Sequence, residues 1–377
     1  NALGPPTLTL NAHADAVSLD LGTSPGKWYS LESSGTMLPD SWQKVFPGPI
    51  YAAEDGLAVE GLPYDPSGRQ FFRLKEDKPA FLMHTNNDGV TSLRPPTDAA
   101  GENPLGTEFI DPGKELGHAA FNYQPAGGST WRSADTSTST GVSSSWHQIR
   151  TSSEGTRHIF HSEMTNGLTG KLAFESEVLY AGKHVGWTLN LENLSSQAVT
   201  IGNLAVPLPM NTDYTGSDSS VFKHSFISGN NSWAFWMRPD AVGPYLMMTT
   251  DPDTKLEYWD GPGARNEAYT YKAYIHAAAA AQVAASMGSE WRQPVTSLTL
   301  QPGESKTYGF KFQWADDYDA IRQVLVDEGK IDIQVVPGMT VPTDLSAKIA
   351  LRTTQTIHSV QAEFPAKTII QSLGANG

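Results

Sequence analysis

The sequence predicts a mainly β protein, in which a large antiparallel β-sandwich is followed by a short helical connector and the start of a second β-sandwich module. Apolar and polar residues alternate with a period of two along much of residues 1–312, which is typical of strands that bury one face. The chain also contains 34 glycines and 25 prolines, and such a supply of turn formers indicates many short strands. At 377 residues it is long enough for two or three domains.

The clearest strands lie between residues 146 and 210. One strand has apolar or small side chains at every second position, namely Leu172, Phe174, Ser176 and Val178. The next strand repeats the pattern with Trp187, Leu189 and Leu191. Since alternate side chains of a strand share one face, both sets are predicted to face a core. Residues 85–145 are rich in turn formers, so we predict long surface loops there.

Two helices interrupt the β pattern. One is predicted over residues 315–329, where Ile321, Val324 and Leu325 form an apolar stripe that ends at Gly329, and the other over the alanine-rich residues 277–287. The predicted domains are therefore a sandwich over 1–312, a connector over 313–333 and a partial small β module over 334–377. This last module supplies about three of the roughly seven strands of a sandwich, so we expect it to continue beyond the chain.

The composition excludes several classes of partner and cofactor. The net charge is −14 and Lys and Arg form no cluster, so neither nucleic acid nor a membrane surface is expected to bind. No stretch approaches the about 18 apolar residues of a membrane span. No nucleotide or zinc motif is present, and His158 and His161, three apart on a strand, point to opposite faces. We therefore predict no cofactor and no metal site.

Two sequons predict glycosylation, at Asn193 and Asn230. The chain has no cysteine, which does not exclude export of a protein with a large core. We expect a secreted, extracellular protein.

An aromatic-rich region between residues 232 and 267 is the best local candidate for a ligand site. Flat aromatic rings suit the apolar C–H faces of sugars, and neighbouring charged groups can bond hydroxyls. The predicted substrate-binding residues are Trp233, Trp236, Glu257, Tyr258, Trp259, Asp260 and Arg265. The alternative is that these rings fill the sandwich core. No catalytic residue is assigned, because two carboxylates three apart on an extended chain diverge and make a poor catalytic pair.

A second set of residues has the types needed for elimination on uronic-acid polymers. That reaction needs a Tyr or His base and a cationic group that neutralises the substrate carboxylate. The set comprises His147, Arg150, Arg157, His158, His161 and Tyr180. Their spacing leaves open whether they meet.

Two segments carry a resemblance to a known group of proteins. WTLNLENLSSQAVTIGNLAVPLPM at 187–210 and DEGKIDIQVVPGMTVPTDLSAKIALRT at 327–353 resemble the N-terminal β-supersandwich region of secreted six-hairpin, (α/α)-toroid glycosidase-like enzymes. The resemblance covers residues 146–377. It implies a β-supersandwich domain over 1–312, a carbohydrate substrate, and an (α/α)-toroid catalytic domain or companion chain that holds the main catalytic residues.

The resulting hypothesis is a non-catalytic or rim-forming sandwich of a secreted glycoside hydrolase that acts on a polysaccharide or oligosaccharide. Two alternatives remain open at this point, a polysaccharide lyase of similar architecture and a stand-alone carbohydrate-binding sandwich. A convergent Tyr, His and Arg cluster would favour the lyase, and an exposed aromatic strip without paired carboxylates would favour the binding module.

Overall fold

A computed structural model of the protein describes residues 7–12, 16–23, 27–45, 50–52, 56–63, 69–76, 81–95, 107–152, 155–180, 184–212, 221–241, 244–260, 270–338 and 340–374. Strands make up 49% of the structure and helices 9%, so the predicted mainly β class is confirmed. The chain divides into two units, Asn1–Tyr318 and Asp319–Gly377. The predicted boundaries at 312 and 333 remain predictions.

The first unit contains most of the strands. In chain order they are β1 (Thr7–Ala12), β2 (Ala16–Gly22), β3 (Lys27–Ser34), β4 (Gln43–Lys44), β5 (Ile50–Ala52), β6 (Leu57–Pro63), β7 (Phe71–Glu76), β8 (Leu82–Thr85), β9 (Val90–Arg94), β10 (Ala120–Pro125), β11 (Arg132–Asp135), β12 (Ser144–Ser152), β13 (Gly155–Met164), β14 (Leu172–Tyr180), β15 (His184–Asn193), β16 (Val199–Leu208), β17 (Phe222–Phe226), β18 (Trp233–Met237), β19 (Tyr245–Thr250), β20 (Tyr258–Asp260), β21 (Tyr271–Ala277), β22 (Leu298–Leu300) and β23 (Ser305–Ala315).

Two antiparallel sheets form the sandwich. An eight-stranded sheet has the order β12-β13-β14-β15-β23-β19-β18-β17. A six-stranded sheet has the order β11-β10-β16-β21-β20, and β22 also pairs with β16. One continuous apolar cluster joins side chains of both sheets, including Phe174 and Trp187 from the first and Tyr123 and Leu204 from the second. The two predicted strand faces are confirmed, since all seven side chains on them are buried.

The N-terminal strands form separate, smaller sheets. β1, β2 and β6 make one sheet, and β3 pairs with β4, β5 and β7 in another. They enclose a second apolar cluster built on Leu19, Leu21, Leu31, Val59 and Leu62. In the described residues, the region predicted as one sandwich therefore holds two apolar clusters.

The prediction of long surface loops over residues 85–145 is wrong. β9, β10 and β11 lie there, and Phe109, Leu116, Phe121 and Tyr123 are buried. Phe121 and Tyr123 alternate with polar Asn122 and Gln124, which is a period-two pattern, but it is too short to stand out among the surrounding turn formers.

Both predicted helices are present, as α1 (Ala278–Ser286) and α2 (Tyr318–Asp327). In the second unit, α2 is followed by an antiparallel pair, β24 (Asp332–Val336) and β25 (Lys348–Arg352). Arg322 of α2 donates hydrogen bonds of 2.9 and 3.1 Å to Asp332 of β24.

Two of the three predicted strand runs of the C-terminal module are not strands. Ile357, Val360 and Ile369 lie outside strands and are exposed. A strand needs a hydrogen-bonded neighbour, which the described part of this unit gives only to β24 and β25. No helix in the described part of the chain is long and apolar enough to cross a membrane.

Candidate functional site

A cavity of about 350 Å³ opens at one edge of the sandwich. The inner face of β12, β13 and β14 forms one wall, through Ser145, His147, Phe160, Ser162 and Phe174. The other walls come from loops next to the six-stranded sheet and from the β8–β9 turn. Those loops contribute Asn87, Asp88, Gly117, His118, Thr136, Ser139 and Val142.

The β8–β9 turn places Asn87 and Asp88 at the cavity. The side-chain oxygen of Asn86 accepts hydrogen bonds from the backbone N–H groups of Asp88 (2.8 Å) and Gly89 (2.9 Å). A side chain at Gly89 would bring its Cβ to 2.6 Å from the carbonyl oxygen of Leu116, so glycine is required there. The turn therefore follows from a short Asn-Asn-Asp-Gly run.

Four histidines lie at or next to the cavity: His161 turns outward, and the other three are His118, His147 and His158. His147 packs flat between Phe160 and His158, with ring centroids 4.5 and 5.7 Å away. Nδ1 of His118 lies 3.1 Å from the hydroxyl of Thr136, and Nδ1 of His158 lies 3.2 Å from that of Thr85. These contacts fix the imidazoles, so they present a defined set of donors and acceptors.

Burial keeps these histidines neutral. Desolvation lowers the pKa of His118 against the smaller opposing effects of Glu115, Asp135 and Asp88, and it lowers the pKa of His147 against that of Asp88. Desolvation, followed by repulsion from His147, lowers the pKa of His158 to about 4. Asp88 is the charged side chain among the described residues of the wall. At neutral pH the cavity is therefore polar and nearly uncharged.

The outer face of the same strands is different in character. By strand register, Trp146 pairs with His161 on the face opposite His147 and Phe160. Their rings are parallel, 4.7 Å apart with an interplanar angle of 9°. Both residues lie at the border of the cavity, although their rings are on the outer face of the sheet.

The structure does not bring the predicted substrate-binding residues together. Trp233 lies on the outer face of the eight-stranded sheet, stacked between Phe226 and Phe235. Trp236 points the other way and is 0% exposed, so its prediction as a ligand contact is corrected to a core role. A strand alternates its faces, and this separates the two indoles.

The other predicted residues lie at the edge strand β20. Trp259 packs against the core beneath the ammonium of Lys223, 4.6 Å from the ring centroid, whereas Tyr258 contacts Trp291 on the other face. Asp260 is partly exposed next to them. Arg265 lies outside the described residues.

Glu257 has a structural role in place of the predicted ligand contact. Its carboxylate accepts hydrogen bonds from the backbone N–H groups of Ala277 and Thr296, both 2.9 Å, and from the hydroxyl of Thr296. Its oxygens are thereby used to hold the Thr296 loop against β21.

The residues considered for elimination chemistry divide between the two faces of the sheet. His147, His158 and Tyr180 share the inner face. Arg157 lies on the outer face, where it bonds Glu177 at 3.0 Å, and Arg150 bonds Gln148 at 2.9 Å. The predicted opposite orientation of His158 and His161 is confirmed by the register. Among the described residues, no group of three or more His, Cys, Asp or Glu side chains is arranged to hold a metal ion.

One predicted glycosylation site is corrected. Asn193 is 0% exposed and its amide bonds Gln197, Leu300 and Ser195, so it is unavailable to a glycan in the folded protein. Asn230 is exposed in the turn before β18, and its glycosylation stays a prediction.

Fold and site together define a two-sheet antiparallel sandwich with a polar cavity at one open edge. The chain belongs to a family of unknown function, DUF5695, whose model matches residues 104–374. No curated protein matches the chain.

Several solved structures are similar at low identity. One is a polysaccharide lyase, with a TM-score of 0.48, 13% identity, and coverage of 69% of this chain and 36% of that one. Another is a galactose mutarotase-like protein from Clostridium acetobutylicum, with a TM-score of 0.39, 9% identity, and coverage of 64% and 95%. A third is a GH36 α-galactosidase from Geobacillus stearothermophilus, with a TM-score of 0.30, 11% identity, and coverage of 85% and 42%. The chain thus spans about a third of the polysaccharide lyase that it matches.

Sequence reasoning missed Asn87, Asp88, His118, Thr136 and Ser162. The Asn-Asn-Asp-Gly hairpin signal was available for the first two. His118 and Thr136 meet only because β10 and β11 pair, and a contact between residues 18 apart leaves no local pattern.

Proposed function

We propose that the sandwich binds carbohydrate in the edge cavity, as the binding part of a secreted carbohydrate-active protein. The observation that carries the proposal is the mixed lining of the cavity. Imidazole, amide, carboxylate and hydroxyl groups stand beside the rings of Phe160 and Phe174. A sugar needs both kinds of contact, because its hydroxyls require hydrogen-bond partners and its C–H faces suit flat apolar rings.

The charge of the cavity supports a neutral sugar. Burial holds His118 and His147 in the neutral form, and Asp88 would repel an anionic ligand. The net charge of −14 acts in the same direction. A uronic-acid polymer would need Arg150 and Arg157, but Arg150 bonds Gln148 of its own strand and Arg157 bonds Glu177 of the neighbouring strand β14. These contacts favour a neutral glycan over the substrate of a lyase.

The same lining supports binding by this chain and cleavage elsewhere. Glycoside hydrolysis uses two carboxyl groups on either side of the scissile bond, and the described wall offers the single carboxylate of Asp88. In the proposal, a companion (α/α)-toroid domain supplies the hydrolytic pair and the sandwich holds the sugar chain at its rim. A stand-alone binding module is the second candidate, favoured by the same single carboxylate.

A glycan panel with a cavity-blocking variant tests the proposal. The panel contains immobilised neutral and uronic-acid oligosaccharides from two to six units, and calorimetry follows on the best neutral hexasaccharide. Ser145→Trp places an indole at the cavity from an edge strand, where large aromatic residues are well tolerated. Ser305→Trp, an exposed strand position away from the cavity, is the matched control.

We expect the wild type to prefer neutral glycans and Ser145→Trp to lose affinity about tenfold or more at the cavity, while Ser305→Trp stays within about twofold. Failure of every glycan to bind, or an unchanged affinity of Ser145→Trp at the cavity, would overturn the proposal.

A further inference from the structure

A half-exposed indole stands on the outer face of the edge strand β12. Trp146 is 46% exposed, and its neighbours on this face of β12 and β13 are charged or polar except for the buried Ile159. One face of its ring is covered by the parallel imidazole of His161 at 4.7 Å. This stacking leaves the opposite face of the indole as the exposed one.

The imidazole beneath the indole is held by a hydrogen bond at Nε2, while Nδ1 lies near a carboxylate without bonding it. Nε2 of His161 lies 3.2 Å from a carboxylate oxygen of Glu163, and Nδ1 lies 3.8 Å from Glu175. Glu163 is itself held by Lys171 and by the hydroxyl of Ser144 at 3.0 Å. Because these contacts restrict the imidazole, the indole stacked on it is also presented in a fixed orientation, which reduces the entropy cost of binding.

The chemistry around the ring selects the kind of ligand. A protein partner that covered this ring would need a contiguous apolar patch, whereas here Glu163 and Glu175 lie beside the stacked imidazole and Lys171 pairs with Glu163. A pyranose offers an apolar C–H face for the indole and hydroxyls for the carboxylates around it. Glu175 keeps 41% of its side chain exposed, so it is available as an acceptor for such a hydroxyl.

We propose that Trp146 is the stacking platform of a second sugar subsite on the outer face of β12, next to the rim of the cavity, which takes a pyranose unit of a neutral glycan with Glu175 as hydroxyl acceptor. The inference rests on the proposed carbohydrate-binding function, and it adds a site on the opposite face of β12. Two subsites on one domain raise the effective affinity for a polymer that reaches both.

The test is calorimetry and tryptophan fluorescence with the best neutral hexasaccharide from the glycan panel. Trp146→Ala removes the platform, Trp146→Phe keeps a smaller ring, and Glu175→Gln keeps the shape but removes the charge. Glu175 does not line the cavity, so its variant reports on the outer face alone. Ile149→Ala is the matched control, because Ile149 is 44% exposed on the same strand with its side chain on the other face.

We expect the wild type to bind two hexasaccharide molecules per chain and to show a change in tryptophan fluorescence. Trp146→Ala should lower the stoichiometry to one and abolish most of the fluorescence change, and Glu175→Gln should weaken the same site several-fold. Trp146→Phe should retain part of the affinity, and Ile149→Ala should behave as the wild type.

Three results would overturn the inference. Two sites that persist in Trp146→Ala would remove the indole from the binding surface while leaving the cavity proposal intact. A single wild-type site that Ser145→Trp abolishes would have the same meaning. Self-association that Trp146→Ala abolishes would assign the indole to an interface between copies of this chain. If no glycan binds to any variant, the proposed function itself fails.

Discussion

The side chains of His276 and Tyr308 join the two sheets of the sandwich through one hydrogen bond of 2.6 Å. His276 belongs to β21 and Tyr308 to β23. The hydroxyl of Thr296 donates to Glu257, so it accepts from Nδ1–H of His276, and Nε2 must then accept from the hydroxyl of Tyr308. This chain of bonds requires a neutral His276, and burial lowers its pKa to about 4.

Tyr308→Phe should destabilise the protein by about 1–2 kcal/mol, because it leaves Nε2 of His276 buried without a donor. Chemical denaturation of the purified variant measures the loss. Tyr318→Phe is the control, since Tyr318 is 47% exposed and its contacts are with ring edges. Equal losses in the two variants would contradict a structural role for the bond between the sheets.

Stability should fall as the pH is lowered from about 6.5 to about 4. His158 and His276 have pKa values of about 4 in the folded protein, against an ordinary value near 6.5. Within this window the unfolded chain binds more protons than the folded one, so acidification favours unfolding. Their stabilising contribution is complete above pH 6.5 and is lost towards pH 4, about 3 kcal/mol for each histidine.

Denaturation curves between pH 7.5 and pH 4 measure this slope. His158→Gln should flatten it, and replacement of the exposed His358 by Gln should leave it unchanged. Glu163, whose pKa the bonds from Lys171 and His161 lower to about 2, adds a further loss only below about pH 4.5. A flat stability profile between pH 6.5 and 4 would show that the two imidazoles are not buried as described.

Gly155→Ala should cost at least about 3 kcal/mol, whereas Gly303→Ala should cost roughly 1 kcal/mol. Both glycines have positive φ angles, +141° and +79°. An added Cβ at Gly155 would lie 2.1 Å from the carbonyl oxygen of Tyr180, but one at Gly303 would have nothing within 4 Å. Thermal unfolding of the two variants measures the difference: Gly155→Ala carries backbone strain and a collision with the Tyr180 carbonyl, whereas Gly303→Ala carries backbone strain alone. Similar melting temperatures would show that β13 and β14 can separate at little cost.

Asn193→Ala should destabilise the protein by about 3 kcal/mol, and Asn230→Ala should have almost no effect. The buried amide of Asn193 donates to the carbonyls of Gln197 (2.8 Å) and Leu300 (2.9 Å) and accepts from Ser195 (2.7 Å). In a glycosylating host, intact mass and peptide mapping should place any glycan on Asn230 alone. A glycan on Asn193 of the folded, purified protein would contradict the buried position of this side chain.

Strands with long, regular alternation were predictable because every second residue is apolar when one face of a strand is buried. This holds for β14 and β15, and the apolar stripe of α2 was equally predictable. The short strands β10 and β11 were not, since four to six residues give too weak a pattern among turn formers. The C-terminal apolar runs had the composition of strands. Strand formation also requires a hydrogen-bonded neighbouring strand, which composition does not predict.

The β class, the two helices and the opposite orientation of His158 and His161 could be predicted without the structure, because each follows from local periodicity. The accessibility of the aromatic rings, in contrast, depends on how distant strands pack. Trp233 and Trp236 stand three positions apart, yet one lies on an outer face and the other is enclosed. The cavity likewise brings Asp88, His118 and His147 together through strand pairing between distant segments. Such a site depends on the order of strands in the sheets, and local patterns carry no information about that order.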